Sequence, residues 1–283
     1  MAAAFPTFDL VVATVDRSDA LDELLASLDR QGVELRVLVV DQNVDDRVGP
    51  TLDRHPALAI ERLHAARGLS RARNAALAQL SAELVAFPDD DCVYPDGLLA
   101  RVTDAFAGDP ELDGLVGRES AADGSSPASW ADEPAPLTRH NLWNRAISFA
   151  IFLRRTTLVE VGGFDEQLGL GATGGPWRSS EEIDLLIRAL DGGARIRYDP
   201  TLTVRHEPKT VDGAGLRALA RRDGASIGYL LRKHRYRRRT VARMFLWPAV
   251  GTLVALARLD LGGARVRLAT LRGRIAGYRR YPG

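Results

Sequence analysis

Short apolar runs and segments of helical spacing alternate along the first half of the chain. Asp9–Val15 and Glu34–Asp41 are rich in β-branched residues, which is typical of strands buried in a parallel sheet. Between them a leucine repeat at helical spacing follows Ser18, a predicted helix cap, and Gly32 ends the segment. This order predicts right-handed β-α-β units and a doubly wound sheet.

The alternation continues through the middle of the chain. The pattern predicts helices within Asp45–Arg54 and over Leu69–Leu80, with a weak strand at Ala57–Glu61 and a stronger one at Glu83–Phe87. The remaining predictions are a loop over Asp123–Pro136, a strand over Ala146–Leu153, a turn at 162–164, an irregular stretch over Gly169–Arg178, a helix opened by Ser179 and a strand over Ala194–Tyr198.

The end of the chain differs from the rest in charge. Residues 214–283 contain 17 Lys and Arg against two acidic residues, a net charge of +15, whereas residues 1–213 have a net charge of −14. Ala214–Leu231 is a predicted helix, and the basic cluster RKHRYRRR follows at 232–239. Met244–Ala257 has no charge but is shorter than the ~20 residues of a spanning helix, which favours a core or interfacial helix and argues against a spanning segment. We therefore predict two domains, 1–213 and 214–283.

Composition narrows the setting in which the protein works. The single cysteine, Cys92, excludes a disulfide scaffold and a four-cysteine zinc site, and it fits a reducing compartment. The N-terminus lacks a secretory signal pattern, so we expect a cytoplasmic location. The basic end predicts contact with an anionic membrane at its inner face, or neutralisation of the acidic body. Because the aromatic spacing of nucleic-acid modules is missing, we expect no nucleic-acid partner.

Polar residues follow three of the predicted strands. The strand ends are Thr14–Arg17, Asp41–Asn43 and Asp89–Asp91, and ligands of doubly wound sheets bind at such carboxyl ends. Three adjacent carboxylates repel one another, and a hard cation such as Mg²⁺ or Mn²⁺ would compensate them. A solvated loop before a helix that begins near Asp96 explains the triplet equally well on its own.

Seven segments, taken in order, resemble family 2 glycosyltransferases. The resemblance covers roughly residues 8–210, and it implies a GT-A fold, a Rossmann-like doubly wound mixed sheet flanked by helices, here followed by a basic helical C-terminal extension. The matching segments are VVATVDR (11–17), VLVVDQN (37–43), RGLSRARNAAL (67–77), VAFPDDDC (85–92), VGGFDEQL (161–168), SSEEIDLLIRAL (179–190) and VRHEPKT (204–210).

The resemblance implies a site for a nucleotide-sugar. Asp41 and Thr14 would hold the base and ribose, and Asp89 or Asp90 would touch the ribose or the metal. An arginine at the start of the third segment would contact the diphosphate, where we favour Arg71 over Arg73 because it lies closer to the helix start. The implied donor-binding residues are Ala13, Thr14, Arg17, Asp41, Arg71, Asp89 and Asp90.

The family resemblance also implies a metal site and a catalytic base. Asp91, with Asp89 and His206, would hold Mn²⁺ or Mg²⁺, and Glu182 would take the proton from the acceptor hydroxyl. Because this chain has Glu where the family has Asp, Glu181 and Asp184 remain alternatives for the base. Ser179-x-x-Glu182 also has the pattern of a capping box, a purely structural role. A single base opposite the leaving group implies inversion at the sugar carbon.

The resemblance therefore implies a metal-dependent, inverting glycosyltransferase that adds one sugar to a hydroxyl of a lipid-linked or cell-surface glycan precursor. The Gln-x-x-Arg-Trp pattern of processive synthases is absent. A nucleotidyltransferase is an alternative, but it would need a Gly-rich basic loop where residues 13–19 read ATVDRSD. A non-catalytic nucleotide-sugar-binding protein is a second alternative, which the acids at 181, 182 and 184 disfavour.

Overall fold

A computed structural model describes residues 8–126, 129–207 and 211–281. These residues form two compact units: 8–164 with 185–207, and 165–184 with 211–281. The predicted domain limits, 1–213 and 214–283, stay a prediction. The N-terminal stretch before residue 8, residues 127 and 128 of the predicted loop, and the last three residues of VRHEPKT lie outside the described residues.

A mixed sheet forms the centre of the first unit. Its order is β3-β2-β1-β4-β8-β6-β9-β5, with β7 paired to β9. The first four strands along the chain run parallel, and β8 is antiparallel to both of its neighbours. The strands are β1 (Phe8–Thr14), β2 (Leu35–Asp41), β3 (Ala59–His64), β4 (Leu84–Ala86), β5 (Cys92–Val93), β6 (Gly114–Ser120), β7 (Ala135–Pro136), β8 (Ile151–Arg154) and β9 (Ile196–His206).

Helices connect and cover the strands. The apolar sides of α1 and α4 pack with β1 and β2 in one core, as the leucine repeat predicts. The second unit contains three long helices. The helices are α1 (Ser18–Asp29), α2 (Gly49–Leu52), α3 (Leu69–Ala76), α4 (Leu98–Gly108), α5 (Arg155–Val161), α6 (Glu181–Asp191), α7 (Gly213–Lys233), α8 (Arg238–Ala257) and α9 (Leu261–Arg280).

The register of the parallel strands brings their carboxyl ends to one edge. Thr14, the last residue of β1, pairs with Asp41, the last residue of β2. On the other side of β1, Ala13 forms a parallel bridge with Asp89, which follows β4. The three polar strand ends of the sequence pattern therefore lie side by side. This confirms that the three strand ends meet at the carboxyl edge of the sheet, whereas the ligand crevice there stays a prediction.

β9 is longer than the predicted strand Ala194–Tyr198, because it continues past Pro200 to His206. The β6–β9 register shifts beside Gly117, which accommodates the irregular stretch around the proline. A Cβ at Gly117 would collide with the carbonyl oxygen of Leu202. This extension pairs the end of β9 with β5 and places His206 beside Asp91, which directly precedes β5.

Two predicted helix starts are wrong. Ser18 is the first residue of α1, and the cap position is Arg17, with no side-chain cap bond. α6 begins at Glu181, not after Ser179, whose hydroxyl instead lies 3.0 Å from the hydroxyl of Ser226. Ser179 therefore lies two positions before the first helical residue, and its backbone NH lies 3.2 Å from the Ser226 hydroxyl, while the Ser179–Glu182 capping box stays a prediction.

α7 and α9 approach closely through glycines. Gly224 and Gly228 lie one turn apart in α7, and Gly273 and Gly277 lie one turn apart in α9. A Cβ on any of the four would collide with a backbone carbonyl of the opposite helix. Small residues at this spacing let two helix backbones approach, so glycine is required here for packing.

We expect Gly228→Ala to destabilise the helical unit by about 2–3 kcal/mol, because the added methyl group meets rigid backbone at Arg274. Gly213→Ala is the matched control, since its nearest neighbour is the flexible end of Arg217 at 3.5 Å. Urea unfolding followed by circular dichroism measures the difference. Equal midpoints for the two variants would contradict the packing described for α7 and α9.

The predicted interfacial stretch Met244–Ala257 belongs to a longer helix, α8. Among the described residues, α8 alone has the length and apolar composition that a bilayer crossing requires, with a mean hydropathy of 1.5. The fourteen uncharged residues alone are too short to cross a bilayer, which is why the sequence pattern argued against a membrane-spanning helix. By length and composition α8 is a candidate membrane-spanning helix, and only 11% of its most apolar 18-residue stretch is buried.

Candidate functional site

The Asp89–Asp91 triplet lies at the carboxyl edge of the sheet, and each carboxylate has its own partners. Asp90 accepts hydrogen bonds from the Thr14 hydroxyl at 2.8 Å and from the Arg17 guanidinium at 2.9 Å. Burial raises the pKa of Asp90 above its ordinary value, although both of these contacts oppose the shift. The same guanidinium nitrogen lies 2.6 Å from a carboxylate oxygen of Asp91.

Arg17 therefore joins two of the three carboxylates. Burial lowers its pKa, but the charges of Asp90 and Asp91 outweigh burial and raise the pKa above the ordinary value. Its side chain remains 39% exposed, whereas that of Asp90 is 8% exposed. The guanidinium occupies the position at which a cation relieves the repulsion between the carboxylates.

Asp91 also meets His206 at the end of β9. The imidazole Nε2 lies 3.3 Å from the second oxygen of Asp91, and both side chains are about one-fifth exposed. The ring of His206 stacks on that of Phe149, with centroids 5.0 Å apart. Nearby Glu119, on β6, is buried, and burial raises its pKa while His206 opposes the shift. Glu119 was not expected from the sequence, because no strand was predicted where β6 lies.

Asp89 is held by Arg73, not by Arg71. Arg73 is 1% exposed, and its guanidinium donates to Asp89 at 2.8 Å. The same guanidinium lies over the rings of Phe87 and Phe164, at 5.8 and 5.3 Å. Arg71 is exposed, with one nitrogen 3.5 Å from the carbonyl oxygen of Arg67. The structure thus brings Arg73 into the acidic cluster, whereas Arg71 is exposed on α3.

The third and fifth matching segments are tied together by Asn74. Its side chain accepts from the backbone NH of Phe164 at 2.8 Å and donates to the carbonyl of the same residue at 2.9 Å. Arg188 of α6 donates to the carbonyls of Val161 and Gly163. Gly163 has a φ of +86°, so the turn favours glycine. These contacts fix the Phe164 ring against Arg73.

Asp41 is buried at the end of β2 beside Thr14. One of its oxygens accepts from the backbone NH and the side-chain amide of Asn43, and the other accepts two bonds from Arg62. Although burial opposes ionisation, these bonds lower the pKa of Asp41, which keeps the carboxylate charged. Arg62 was not singled out by sequence, because it lies within the weakly patterned strand β3.

The three acids of α6 differ in their surroundings. Asp184 is fully buried, and one of its oxygens accepts from Lys233 at 2.6 Å and from His234 at 2.8 Å. Glu181 is 4% exposed, and Glu182 is half-buried. Asp184 is therefore committed to a charged network with the end of α7, whereas Glu182 is the most accessible of the three.

The donor atoms of the first unit fit a hard divalent ion that is shared with a substrate. Asp91 and His206 supply a carboxylate and an imidazole within 3.3 Å of each other. Among the residues that the structure describes, no group of three or more His, Cys, Asp or Glu side chains is arranged to hold a metal. Mg²⁺ and Mn²⁺ commonly use one or two protein ligands together with phosphate oxygens. The residues present fit such an ion.

Comparison with known proteins identifies the family. The family model described as Glycosyl transferase family 2 matches residues 9–162. A pre-mycofactocin glycosyltransferase of Mycobacterium tuberculosis is 31% identical over 220 residues, which is 71% of this chain and 43% of that protein. A beta-monoglucosyldiacylglycerol synthase of Synechocystis is 28% identical over 203 residues, or 40% of its length. The matches thus span less than half of these relatives.

Solved structures share the fold. S. aureus TarS 1–349 has a TM-score of 0.62 and 19% identity, covering 94% of this chain and 92% of that one. The mannosyltransferase PcManGT from Pyrobaculum calidifontis, solved in complex with GDP-Man and Mn²⁺, has a TM-score of 0.65 and 17% identity, covering 96% and 87%. These similarities confirm the GT-A-type sheet with its helical C-terminal extension. The chain belongs to glycosyltransferase family 2.

Proposed function

We propose that this protein transfers a single sugar from a nucleoside-diphosphate-sugar to a hydroxyl acceptor, with inversion at the anomeric carbon and with a divalent metal ion. One observation carries the proposal: the Asp89–Asp91 triplet, two arginines and His206 converge at the carboxyl edge of the sheet. Family membership supports the reaction type. A neighbour of the same fold was solved with GDP-Man and Mn²⁺, which supports the use of a metal.

In this proposal the first unit binds the donor. Asp41 and Thr14, with the backbone at Ala13, hold the base and ribose. Asp89 and Asp90 contact the ribose of the donor, and their orientations are already fixed by Arg73 and Thr14. Arg17 turns from the carboxylates toward the diphosphate, a movement that its 39% exposure permits. Arg71, in the first turn of α3, adds a second cation for the phosphates.

Asp91 and His206 hold the divalent ion in this proposal, and Asp89 is the third proposed metal ligand. When bound, the ion supplies Lewis-acid stabilisation of the charge that develops on the departing diphosphate. The imidazole of His206 already lies 3.3 Å from the carboxylate of Asp91, so the two proposed ligands are close together after Arg17 has turned away.

Glu182 is the proposed general base. Its carboxylate takes the proton of the acceptor hydroxyl as that oxygen forms a bond to the anomeric carbon. The bond from the anomeric carbon to the diphosphate oxygen breaks, and the nucleoside diphosphate leaves with its electron pair. Attack and departure on opposite faces invert the configuration. Asp184, bound to Lys233 and His234, positions the helix that carries Glu182.

For the acceptor we propose a hydroxyl of a lipid-linked or cell-surface glycan precursor, used at the inner face of the membrane. The charge of +15 over residues 214–283 supports this class, because such a region favours anionic surfaces.

A thermal-shift screen of UDP-, dTDP- and GDP-sugars, with and without Mn²⁺, tests donor binding. At 100 times its dissociation constant a ligand stabilises the folded form by about 2.7 kcal/mol, or roughly 5–10 °C in Tm. We expect one nucleotide to produce this shift only when Mn²⁺ is present. Mn²⁺ alone and each nucleotide with EDTA are the controls. If no nucleotide raises Tm, the donor assignment is wrong.

A further inference from the structure

The outer side of α8 is apolar and exposed. Trp247, Leu253 and Leu246 are 80%, 67% and 61% exposed, and Val250 and Val254 are also exposed. The opposite side packs within its own unit, where Pro248 and Ala255 are buried. Large apolar side chains exposed together mark an interaction surface, because a lone protein in water gains by covering them.

The charges on α8 indicate what covers this surface. Positions 239, 243, 246, 250 and 253 form one stripe at helical spacing, which begins with Arg239 and Arg243 and continues with Leu246, Val250 and Leu253. From Leu246 to Leu253 the apolar part of the stripe is about 10 Å long. Arg258 follows at its other end, and α8 contains no acidic residue. An apolar stripe with arginines at both ends complements a bilayer surface with anionic headgroups.

The packing of α8 opposes a transmembrane orientation. α9 lies along α8, where Phe245 meets Tyr278 with ring centroids 5.8 Å apart and Arg274 donates to the carbonyl oxygen of Met244. α9 carries six arginines between Leu261 and Arg280. A spanning α8 would draw these charges into the hydrocarbon, which is strongly unfavourable. Lying in the plane of the surface, α8 exposes only its apolar stripe to lipid.

A basic cavity adjoins the start of α8. Its volume is about 480 Å³, and Arg238, the first residue of the helix, is among its lining residues. The lining contains four cationic side chains, three tyrosines and no carboxylate, in Leu231, Arg232, Lys233, Arg235, Tyr236, Arg238, Tyr278 and Tyr281. Phosphate groups of lipid headgroups fit this lining by charge and by hydrogen bonding.

We propose that α8 docks in the plane of an anionic bilayer, with Trp247, Leu246 and Leu253 inserted among the acyl chains and its flanking arginines on lipid phosphates. The proposal concerns the second unit alone and does not depend on the sugar-transfer reaction.

Cosedimentation of the full 283-residue chain with vesicles tests the proposal. We expect binding to vesicles of phosphatidylglycerol and phosphatidylcholine, weaker binding at high salt, and little binding to phosphatidylcholine alone. Leu246→Ser with Leu253→Ser should weaken binding about 100-fold, since each leucine is worth about tenfold. Arg239→Ser with Arg243→Ser should weaken it roughly 20-fold, at about fivefold each.

The matched control is Leu170→Ser with Leu216→Ser, two exposed leucines of the same unit that lie outside α8. The control should bind like the unaltered chain. Equal loss in the control and in the α8 variant would overturn the proposal. So would the absence of vesicle binding together with a dimer that the α8 variant dissociates, because the occupant would then be a second copy of the chain. Binding of inorganic phosphate to the protein without any vesicle binding would likewise reject a lipid source.

The depth of α8 in the bilayer distinguishes docking in the plane of the membrane from a membrane-spanning orientation. Leu253→Cys can be labelled selectively with an environment-sensitive dye, because the native Cys92 is 1% exposed. We expect a blue shift on anionic vesicles and quenching by lipids labelled just below the headgroup. A dye at Leu216→Cys should not shift. Binding that survives alkaline carbonate extraction would contradict in-plane docking.

Discussion

Replacing Glu182 by Gln should lower kcat for sugar transfer about 10³-fold while leaving the affinity for the donor unchanged. The amide has nearly the shape of the carboxylate but cannot accept the proton of the acceptor hydroxyl. Glu182 is half-buried at the first turn of α6, whereas Asp184 is fully buried against Lys233 and His234. Steady-state transfer assays and donor titrations separate the two effects.

Three further variants make this prediction specific. Glu160→Gln alters an exposed carboxylate on α5 and should leave kcat unchanged. Asp184→Asn should lower stability first, because Lys233 would lose a buried partner. Undiminished transfer by Glu182→Gln would reject Glu182 as the base. A selective loss of kcat in Glu181→Gln, with Tm preserved, would then assign the role to Glu181.

The second large effect is expected for Asp91→Asn. This change removes the carboxylate charge that meets both Arg17 and His206, and with it the proposed metal site. We expect kcat/KM to fall about 10³-fold, since charge stabilisation at the leaving group is lost. Titration with Mn²⁺ in the presence of a nucleoside diphosphate should show weaker binding of both.

The fold of the variant must be intact for this result to count. Asp91 repels the neighbouring carboxylate of Asp90, so the loss of its contacts is offset by relief of this repulsion, and Tm should stay close to that of the unaltered protein. Asp104→Asn, at an exposed position of α4, is the matched control and should retain full activity. Unchanged affinity for Mn²⁺ with the nucleotide in Asp91→Asn would place the metal elsewhere.

Much of the first unit was predictable because its strands obey a simple rule. Buried parallel strands are continuous apolar runs, and each such run ends in polar residues at the edge where ligands bind. Asp41 and the Asp89–Asp91 triplet were found in this way, and the pairing of Thr14 with Asp41 confirms their neighbourhood. The ordered motifs added the family, which patterning alone does not specify.

The remaining features depend on contacts between distant residues. Arg71 was favoured as the diphosphate contact because it lies nearer the helix start, and that role stays a prediction. The inward position of Arg73, three residues from the buried Ser70 and Ala76, was missed. That spacing is a signal the sequence already contained. The network of Lys233 and His234 with Asp184 joins residues about 50 positions apart, so no local pattern indicates it. α9 was missed because its many arginines obscure the glycine pair that packs against α7.

The central claim is that one divalent ion, held by Asp91, joins the protein to the diphosphate of the donor. A crystal structure with Mn²⁺ and the nucleoside diphosphate chosen by the thermal-shift screen tests it most directly, since manganese gives an anomalous signal. We expect one peak within about 2.5 Å of both a carboxylate oxygen of Asp91 and a phosphate oxygen. A nucleotide bound at the carboxyl edge of the sheet with the manganese peak remote from Asp91 would contradict it.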